Sequence, residues 1–320
     1  MYNMLHRIVR TGLKRSIFRQ KHQMDILDRH VEVVTTRPVT KEDGLRVAQW
    51  TKDFGWILAD ERLLKAFSKV YGGIAAEYKG DLIGYVCMAF LNADLGICPY
   101  VVVKEEWRSK GVGKLLMGKA TDAMGSRAIM INSIEEAHTF YKQIGFSHRK
   151  GMWHVYQRGV TGFCESFAKP EKSFVKSGDI SIEDFAAFEE RKVLGLSERK
   201  NIISEMSKFG NRYAVLCDGS ITGVLLGHSA PLKDETFWCI DVLIANDVET
   251  AVGLVEFAVK DAQSECTTLH LCLPELHGDA RRLIERLKLR YHSSGPVLFN
   301  KDLDICHLDL DCVYAITPLM

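Results

Sequence analysis

The sequence predicts a mixed α/β fold, with an α+β type of mixed sheet, that occurs twice along a chain of 320 residues. Three observations support this prediction. An apolar strand that ends at Val103 runs through a glycine-containing turn into a helix that opens at Gly113. Short strands and amphipathic helices alternate on both sides of this segment. The same order of elements returns about 140 residues later, a period far too long for a solenoid repeat.

The first unit begins with a strand at Val31 and continues with a helix that Thr40 caps in the pattern Thr40-Lys-Glu-Asp. Two strands over residues 74–78 and 82–89 flank a turn that contains Gly80, which predicts a hairpin. The unit continues with the strand that ends at Val103, a helix from Gly113, a strand over residues 128–132, a helix through residues 140–144 and a closing strand over residues 153–156.

The second unit repeats this order. The segment Tyr213-Ala-Val-Leu-Cys-Asp-Gly-Ser-Ile-Thr-Gly resembles Ile74-Ala-Ala-Glu-Tyr-Lys-Gly-Asp-Leu-Ile-Gly in its strands and in its turn glycine. Between the units, Gly159, Gly162, Pro170 and several charges indicate a linker. We therefore predict a first domain over residues 31–158, a linker over residues 159–175 and a second, duplicated domain over residues 176–320.

Composition excludes several classes of protein. The 47% of hydrophobic and 26% of charged residues are typical of a globular chain, and the net charge of +1 gives no reason to expect nucleic acid as a partner. No apolar run is long enough to span a bilayer, so we expect no membrane partner. The nine scattered cysteines favour reduced thiols in an intracellular protein. Cys266, His270, Cys272 and His277 fit no zinc spacing, so we expect no metal.

Residues 1–30 form a separate segment in this prediction. Residues 1–24 combine basic side chains with an apolar helical stripe and contain no acidic residue. This pattern is typical of a mitochondrial presequence, and it also fits a peripheral arm that precedes the fold. We therefore expect the protein in the cytoplasm or in mitochondria.

The turn after Val103 has the chemistry of a pyrophosphate cradle. Glycine lacks a Cβ atom, so the backbone can turn sharply and bring several N–H groups close to an anion. The N-terminus of the following helix adds partial positive charge. Leu116 stands where a dinucleotide-binding turn has its third glycine, and the run typical of nucleotide triphosphatases is absent. The residues that would hold the pyrophosphate are Arg108, Ser109, Lys110, Gly111, Val112, Gly113 and Lys114.

Two motifs together resemble a known family. The first is Arg-x-x-Gly-x-Gly at residues 108–113, after the strand Val-Val-Val-Lys-Glu-Glu-Trp. The second is Ala137-His-Thr-Phe-Tyr141-Lys-Gln-Ile-Gly145-Phe146, about thirty residues later. Both resemble the signatures of the GNAT superfamily of N-acetyltransferases. The resemblance is strong in the first unit and diffuse in the second, so it implies two tandem GNAT-like domains.

The resemblance implies acetyl-CoA as co-substrate and no metal. It implies that Val101 and Val103 contact the pantetheine through their main chains, and that residues 108–114 bind the pyrophosphate. Tyr141 matches the family tyrosine near the thioester sulfur, where a phenol can protonate the departing thiolate.

The general base is less clearly marked. The family often uses a carboxylate on or before the cradle strand. Asp94 directly precedes that strand, so we predict it as the base, with Glu77 on an earlier strand as the alternative. His138 and His154 could also shuttle a proton.

The second unit lacks the cradle chemistry. Asn246, Asp247 and Glu249 stand in place of the basic turn, and Ile284 stands in place of Tyr141. Carboxylates beside a pyrophosphate are repulsive. We therefore expect this unit to be a degenerate copy that shapes the acceptor side.

The predicted function is transfer of an acyl group from acetyl-CoA to the amine of a small molecule by direct attack. A non-catalytic acyl-CoA sensor or adaptor is the alternative. A nicotinamide oxidoreductase would need a ribose-binding acid after the next strand, where Asn132-Ser133 stands instead.

Overall fold

The computed structural model describes residues 34–53, 56, 60–163, 172–192, 199–274, 278–302 and 313–316. The predicted arm or presequence, residues 1–30, lies outside the described residues. No helix in the described part of the chain combines the length and the apolar character needed to cross a membrane.

The first half contains strands and helices in the predicted order. They are β1 (Val34–Pro38), α1 (Lys41–Asp53), α2 (Glu61–Val70), β2 (Gly73–Tyr78), β3 (Asp81–Cys87), β4 (Ala89–Phe90), β5 (Leu95–Ile97), β6 (Val101–Val103), a 3₁₀ turn (Glu105–Trp107), α3 (Val112–Met124), β7 (Ala128–Asn132), α4 (Glu135–Gln143) and β8 (His148–Gly159).

The second half repeats the order with its own elements. They are β9 (Lys172–Lys176), α5 (Ile182–Lys192), α6 (Lys200–Met206), β10 (Asn211–Cys217), β11 (Ser220–Leu232), β12 (Glu235–Ala245), α7 (Val248–Ala262), β13 (Thr268–Pro274), α8 (Gly278–Arg286), β14 (Arg290–Phe299) and β15 (Val313–Ile316). The predicted linker is too long at its C-terminal end, because β9 already begins at Lys172.

Local sequence signals account for two of the predicted boundaries. Thr40 begins α1 in a reciprocal cap: its N–H donates to Asp43 Oδ2 (2.8 Å), and the Asp43 N–H donates to Thr40 Oγ1 (3.4 Å). The β2–β3 hairpin turns at Lys79 and Gly80, whose φ angles are +51° and +84°. Two consecutive positive φ angles match the twist of the flanking strands. Both predictions are confirmed.

The two halves exchange strands. One sheet has the order β1-β2-β3-β6, and the other has the order β4-β5-β7-β14-β8-β13-β12-β11-β10-β9, with β15 paired to β12. Strand β14 of the second half lies between β7 and β8 of the first, and β8 lies between β14 and β13 of the second. The mixed sheets confirm the predicted fold class, and the exchange joins the halves through backbone hydrogen bonds.

The core also joins the two halves. One hydrophobic cluster combines side chains of α1 and α2 with side chains of α5 and α6, between the two sheets. On the other side of the sheets, α3 and α4 cover β7 in a second cluster, and α7 covers β12 and β13 in a third. The first half therefore has one face under its own helices and one face against the second half.

Candidate functional site

A groove opens where β6 separates from β7. Strand β5 pairs with β7 in parallel from Leu95 to Ile97, and the Cys98 N–H still donates to the Met130 carbonyl (3.1 Å). Beyond this point β6 pairs with β3 alone among the described strands. The other edge of β6 therefore faces the groove without a strand partner.

Val101 and Val103 present their main-chain groups to this groove. The Tyr100 carbonyl accepts from the Cys87 N–H (2.9 Å), and the Lys104 N–H donates to the Ile83 carbonyl (3.0 Å), so both residues bond towards β3. In an antiparallel pair the bonding direction alternates from residue to residue. Val102, opposite Tyr85, therefore also bonds to β3, and Val101 and Val103 face away from it.

The N-terminus of α3 lies at the end of the same groove. Gly111 is its N-cap with a φ of +87°, and no side chain caps it within the described part of the chain. The first hydrogen bond inside the helix runs from the Leu115 N–H to the Gly111 carbonyl (2.9 Å). The amides of residues 112–114 therefore precede the helical hydrogen-bond ladder, and such amides form an anion site.

The turn before α3 adds positive charge. Ser109 has a φ of +59°, which lets the backbone reverse between the 3₁₀ turn and α3. Arg108, Lys110 and Lys114 are exposed around this reversal. The Arg108 Nε donates to the Val103 carbonyl (3.3 Å), and the Lys110 Nζ lies 5.1 Å from the centre of the Trp107 ring. The cations are thus held beside the open edge of β6.

Gly113 brings a second helix close to the same point. A Cβ atom at Gly113 would lie 3.1 Å from the Phe140 Cζ, so the first turn of α3 packs directly on α4. The Phe140 ring lies 5.0 Å from the ring of Tyr141. Glycine at position 113 therefore allows α4 to hold its aromatic side chains against the start of α3.

Tyr141 lies where β5 and β6 part from β7. Its side chain is buried in the same cluster as Cys98 and Ile131, and its hydroxyl makes no hydrogen bond to a described residue. Burial raises the pKa of Tyr141, and the nearby Cys98 adds to this effect. The phenol therefore keeps its proton at neutral pH and can act as a hydrogen-bond donor.

The structure does not bring the predicted bases together with Tyr141. Asp94 is exposed before β5, where its carbonyl accepts from the Ala128 N–H (2.8 Å) at the start of β7. Three strand residues, Leu95–Ile97, separate it from Cys98, and four residue steps along an extended chain span roughly 13 Å. Glu77 accepts from the Arg37 Nε (2.9 Å).

His138 and His154, the two possible proton shuttles, lie on different elements. The His138 Nδ1 lies 4.0 Å from a Glu135 carboxylate oxygen on α4, and His154 is half-buried on β8.

Sequence reasoning missed a buried polar cluster between the halves. The His228 Nδ1 lies 2.6 Å from Asp241 Oδ2, and the His228 Nε2 lies 3.7 Å from Asp60 Oδ2. Arg62 pairs with Asp60 (2.6 Å) and donates to the Ser229 carbonyl. A signal was present, since His228 and Asp241 each interrupt an apolar strand.

The second half closes both features that are open in the first. The Asp247 carboxylate caps α7, accepting from the Thr250 N–H (2.7 Å) and the Thr250 Oγ1 (2.8 Å). Lys172 lies 3.5 Å from the same carboxylate. Strand β15 pairs with residues Val242, Leu243 and Ile244 of β12. The helix N-terminus and the strand edge of this copy are therefore satisfied within the chain.

An open strand edge beside an uncapped, basic helix N-terminus can hold an amide-containing chain that carries a diphosphate. Residues 70–148 match the family model of the GNAT acetyltransferase domain. This match lies in the first half of the chain and confirms the predicted resemblance.

Similar proteins support this assignment. An uncharacterized N-acetyltransferase of Chlorobaculum tepidum is 32% identical over 74 residues, which are 22% of this chain and 46% of that protein. The chain thus matches about half the length of this curated relative.

Two solved structures share the fold. A candidate acetyltransferase of Pyrococcus horikoshii superposes with a TM-score of 0.69 at 16% identity, over 88% of this chain and 94% of that one. A tandem GNAT protein from the clavulanic acid biosynthesis pathway superposes with a TM-score of 0.63 at 12% identity, over 85% of this chain and all (100%) of that one. The tandem arrangement is therefore a known form of this fold.

Proposed function

We propose that the protein transfers the acetyl group of acetyl-CoA to the amine of a small molecule by direct attack. The observation that carries this proposal is the open edge of β6 at Val101 and Val103, which ends beside the uncapped N-terminus of α3. These two features fit two parts of acetyl-CoA. The strand edge can pair with the amide-containing pantetheine arm, and the helix N-terminus can bind the diphosphate.

The residues of the first half would divide the work as follows. The amides of Val101 and Val103 hold the pantetheine arm, and the amides of residues 112–114 hold the diphosphate with Arg108 and Lys110 beside it. These contacts fix the thioester near the point where β6 leaves β7.

Tyr141 would act on the sulfur that leaves. Its raised pKa makes full proton transfer to a thiolate uphill, because thiols are more acidic than this phenol. The proposed role of the hydroxyl is therefore to donate a hydrogen bond to the developing thiolate, which stabilises that charge in a water-poor site.

The second half would limit the acceptor to a small molecule. One face of the first half is covered by α3 and α4, and the other face packs against α5 and α6 through the shared core. An acceptor would therefore reach the groove at the rim of the core where the halves meet, where a folded protein surface has little room.

A second candidate is an acyl-CoA sensor that binds without turnover. The positions of Asp94 and Glu77 favour it, because neither carboxylate is placed beside Tyr141. Calorimetry with CoA, followed by a thiol-release assay with acetyl-CoA and a panel of amino acids, amino sugars and polyamines, separates the candidates. An enzyme binds CoA and releases thiol, a sensor binds CoA and releases none, and failure to bind CoA refutes both.

We also propose that the protein works in a reducing compartment, the cytoplasm or mitochondria. The described cysteines are free thiols, and most of them are buried. Imaging of the tagged full-length chain tests this placement.

A further inference from the structure

The cluster around His228 joins the two halves. His228 lies on β11 and Asp241 on β12, and their side chains are 0% and 1% exposed. Asp60 belongs to the first half, where it caps α2 by accepting from the Leu63 N–H (2.8 Å). The imidazole thus lies between two carboxylates that come from different halves of the chain.

Two atoms of this cluster lack a partner. The His228 Nε2 and the Asp241 Oδ1 are buried and make no hydrogen bond in the described part of the chain. An imidazole whose Nδ1 is held by one carboxylate, and whose Nε2 lies 3.7 Å from a second without a hydrogen bond, is oriented to take up a proton at Nε2. Buried polar atoms without partners are uncommon, so these two indicate a contact that forms with water or a ligand.

Tyr100 lies on the same side of the first half's sheet as the cluster. It lies between β5 and β6, where the alternation of the strand is broken: Cys98 packs with Tyr141 on the α3 side, and Tyr100 packs in the shared core. The Tyr100 ring lies 5.7 Å from the ring of Phe67 on α2. Burial raises the pKa of Tyr100, and the carboxylates of Asp241 and Asp60 are near enough to raise it further.

The two sides of the strand break therefore carry different chemistry. Tyr141 lies on the side covered by α3 and α4. Tyr100 lies on the side where the halves meet, as His228 does. An acceptor that enters between the halves meets the second side. A base is needed there, since an alkylamine is a cation at neutral pH and cannot attack until it loses a proton.

We propose that His228, oriented by Asp241 and on the same side of the strand break as Tyr100, accepts the proton of the acceptor amine. This role deepens the proposed function and rests on it. The ammonium gives one proton to the His228 Nε2, which becomes an imidazolium paired with Asp241. The neutral amine then forms the C–N bond, the C–S bond breaks, and the second amine proton ends on the thiol of CoA. The imidazolium returns its proton to water.

The surroundings of His228 set the pH at which it works. Desolvation lowers its pKa, but the carboxylate of Asp241, its hydrogen bond and the carboxylate of Asp60 together raise the pKa above its ordinary value of 6.5. The charged and titratable groups near His228 are Asp241 and Cys239 on β12, Asp60 and Arg62 at the start of α2, Tyr100 before β6, Arg199 before α6, and His270 on β13. The base form gains population as the pH rises through the raised pKa, so the rate should rise over that range.

The test compares His228→Gln with a matched control, His148→Gln at the start of β8, in the full chain. The probes are n-butylamine, which is protonated at pH 7, and methoxyamine, which is neutral there. Thiol release from acetyl-CoA gives kcat/KM, and calorimetry gives the affinity for CoA. We expect His228→Gln to lower kcat/KM for n-butylamine by roughly 10²- to 10⁴-fold. It should affect methoxyamine far less and leave CoA binding unchanged, while His148→Gln should change neither the activity nor the CoA affinity.

Equal activity of the His228 and His148 variants would overturn the role of His228 and leave the proposed function standing. Equal losses with both amines would also overturn it, since a merely structural residue does not distinguish a protonated amine from a neutral one. A wild-type protein that binds CoA but releases no thiol with either probe refutes the enzyme and this role together.

If His228→Gln does not fold, Asp241→Asn gives a second measurement. This substitution removes the charge that raises the pKa of His228, so the rising limb of the pH–rate profile should move to lower pH. An unshifted limb would exclude His228 as the titrating base.

Discussion

Replacement of Val103 by proline tests the open strand edge by removing a single backbone N–H group. Proline lacks the backbone N–H, and at this position the N–H faces the groove rather than β3. Proline is tolerated at edge positions whose N–H is outside the ladder, so the pairing of β6 with β3 should survive. The matched control is Val103→Ala, which shortens the side chain and keeps the N–H.

The expected size of the effect follows from one hydrogen bond. A neutral main-chain hydrogen bond contributes about 0.5–1.5 kcal/mol net, which corresponds to a roughly 2- to 13-fold change in a dissociation constant. Val103→Pro should therefore bind CoA about 2- to 13-fold more weakly than Val103→Ala. Proline at Val102, whose N–H bonds to β3 opposite Tyr85, should instead lower the free energy of unfolding by about 1–3 kcal/mol.

Isothermal calorimetry with CoA and thermal denaturation of the same samples separate the two effects. Loss of affinity at Val103 with a preserved melting temperature supports pantetheine binding along β6. If Val103→Pro and Val103→Ala bind CoA equally well, the strand edge does not contact the ligand and the placement of the pantetheine is wrong.

Three further predictions concern the turn, the phenol and the second half. Charge reversal by Lys110→Glu should weaken CoA binding more at low salt than at high salt, measured as the slope of affinity against sodium chloride concentration. Tyr141→Phe should lower kcat roughly 10²-fold or more while the free energy of unfolding changes by less than about 0.5 kcal/mol, because the hydroxyl has no described partner; unchanged kcat would exclude the phenol. Asp247→Ala should cost about 0.5–2 kcal/mol of stability through loss of the α7 cap, and calorimetry should still detect no CoA site in the second half.

The sequence could predict features that are local in the chain. The cap at Thr40 depends on a residue three positions away, and the turn at Gly80 depends on two neighbours. The basic turn and the start of α3 are likewise contained in a few consecutive residues, although the helix begins one residue earlier than expected, at Val112. Such features follow from backbone geometry and need no tertiary information.

The strand exchange could not be predicted in this way. Strand β14 pairs with β7 and β8, which precede it by more than a hundred residues. Hydrophobic periodicity shows that a segment is a strand and which face is apolar, but it does not show which strand lies beside it. The division into two sequence domains therefore missed that each half completes the sheet of the other.

Asp94 shows that a residue close to a site in sequence can lie far from it in the structure. Asp94 directly precedes the cradle strand in sequence. Each residue of an extended strand lies about 3.3 Å further from the start of the strand, so the distance grows quickly. The groove therefore begins beyond Cys98, closer to Tyr100 than to Asp94 along the chain. His228 and Asp241 are 13 residues apart in sequence and meet because β11 and β12 pair along their length.

The two halves of this chain form an internal comparison of one fold with and without a ligand site. In the second half, Asp247 caps the helix and β15 covers the strand edge, so the copy satisfies its own backbone groups. In the first half, the equivalent helix N-terminus and strand edge have no such partners among the described residues. Backbone donors left open at two adjacent points cost stability unless water or a ligand satisfies them. The second copy thus differs from the first at two places, the helix N-terminus and the strand edge. These two places mark where the first copy should bind its co-substrate.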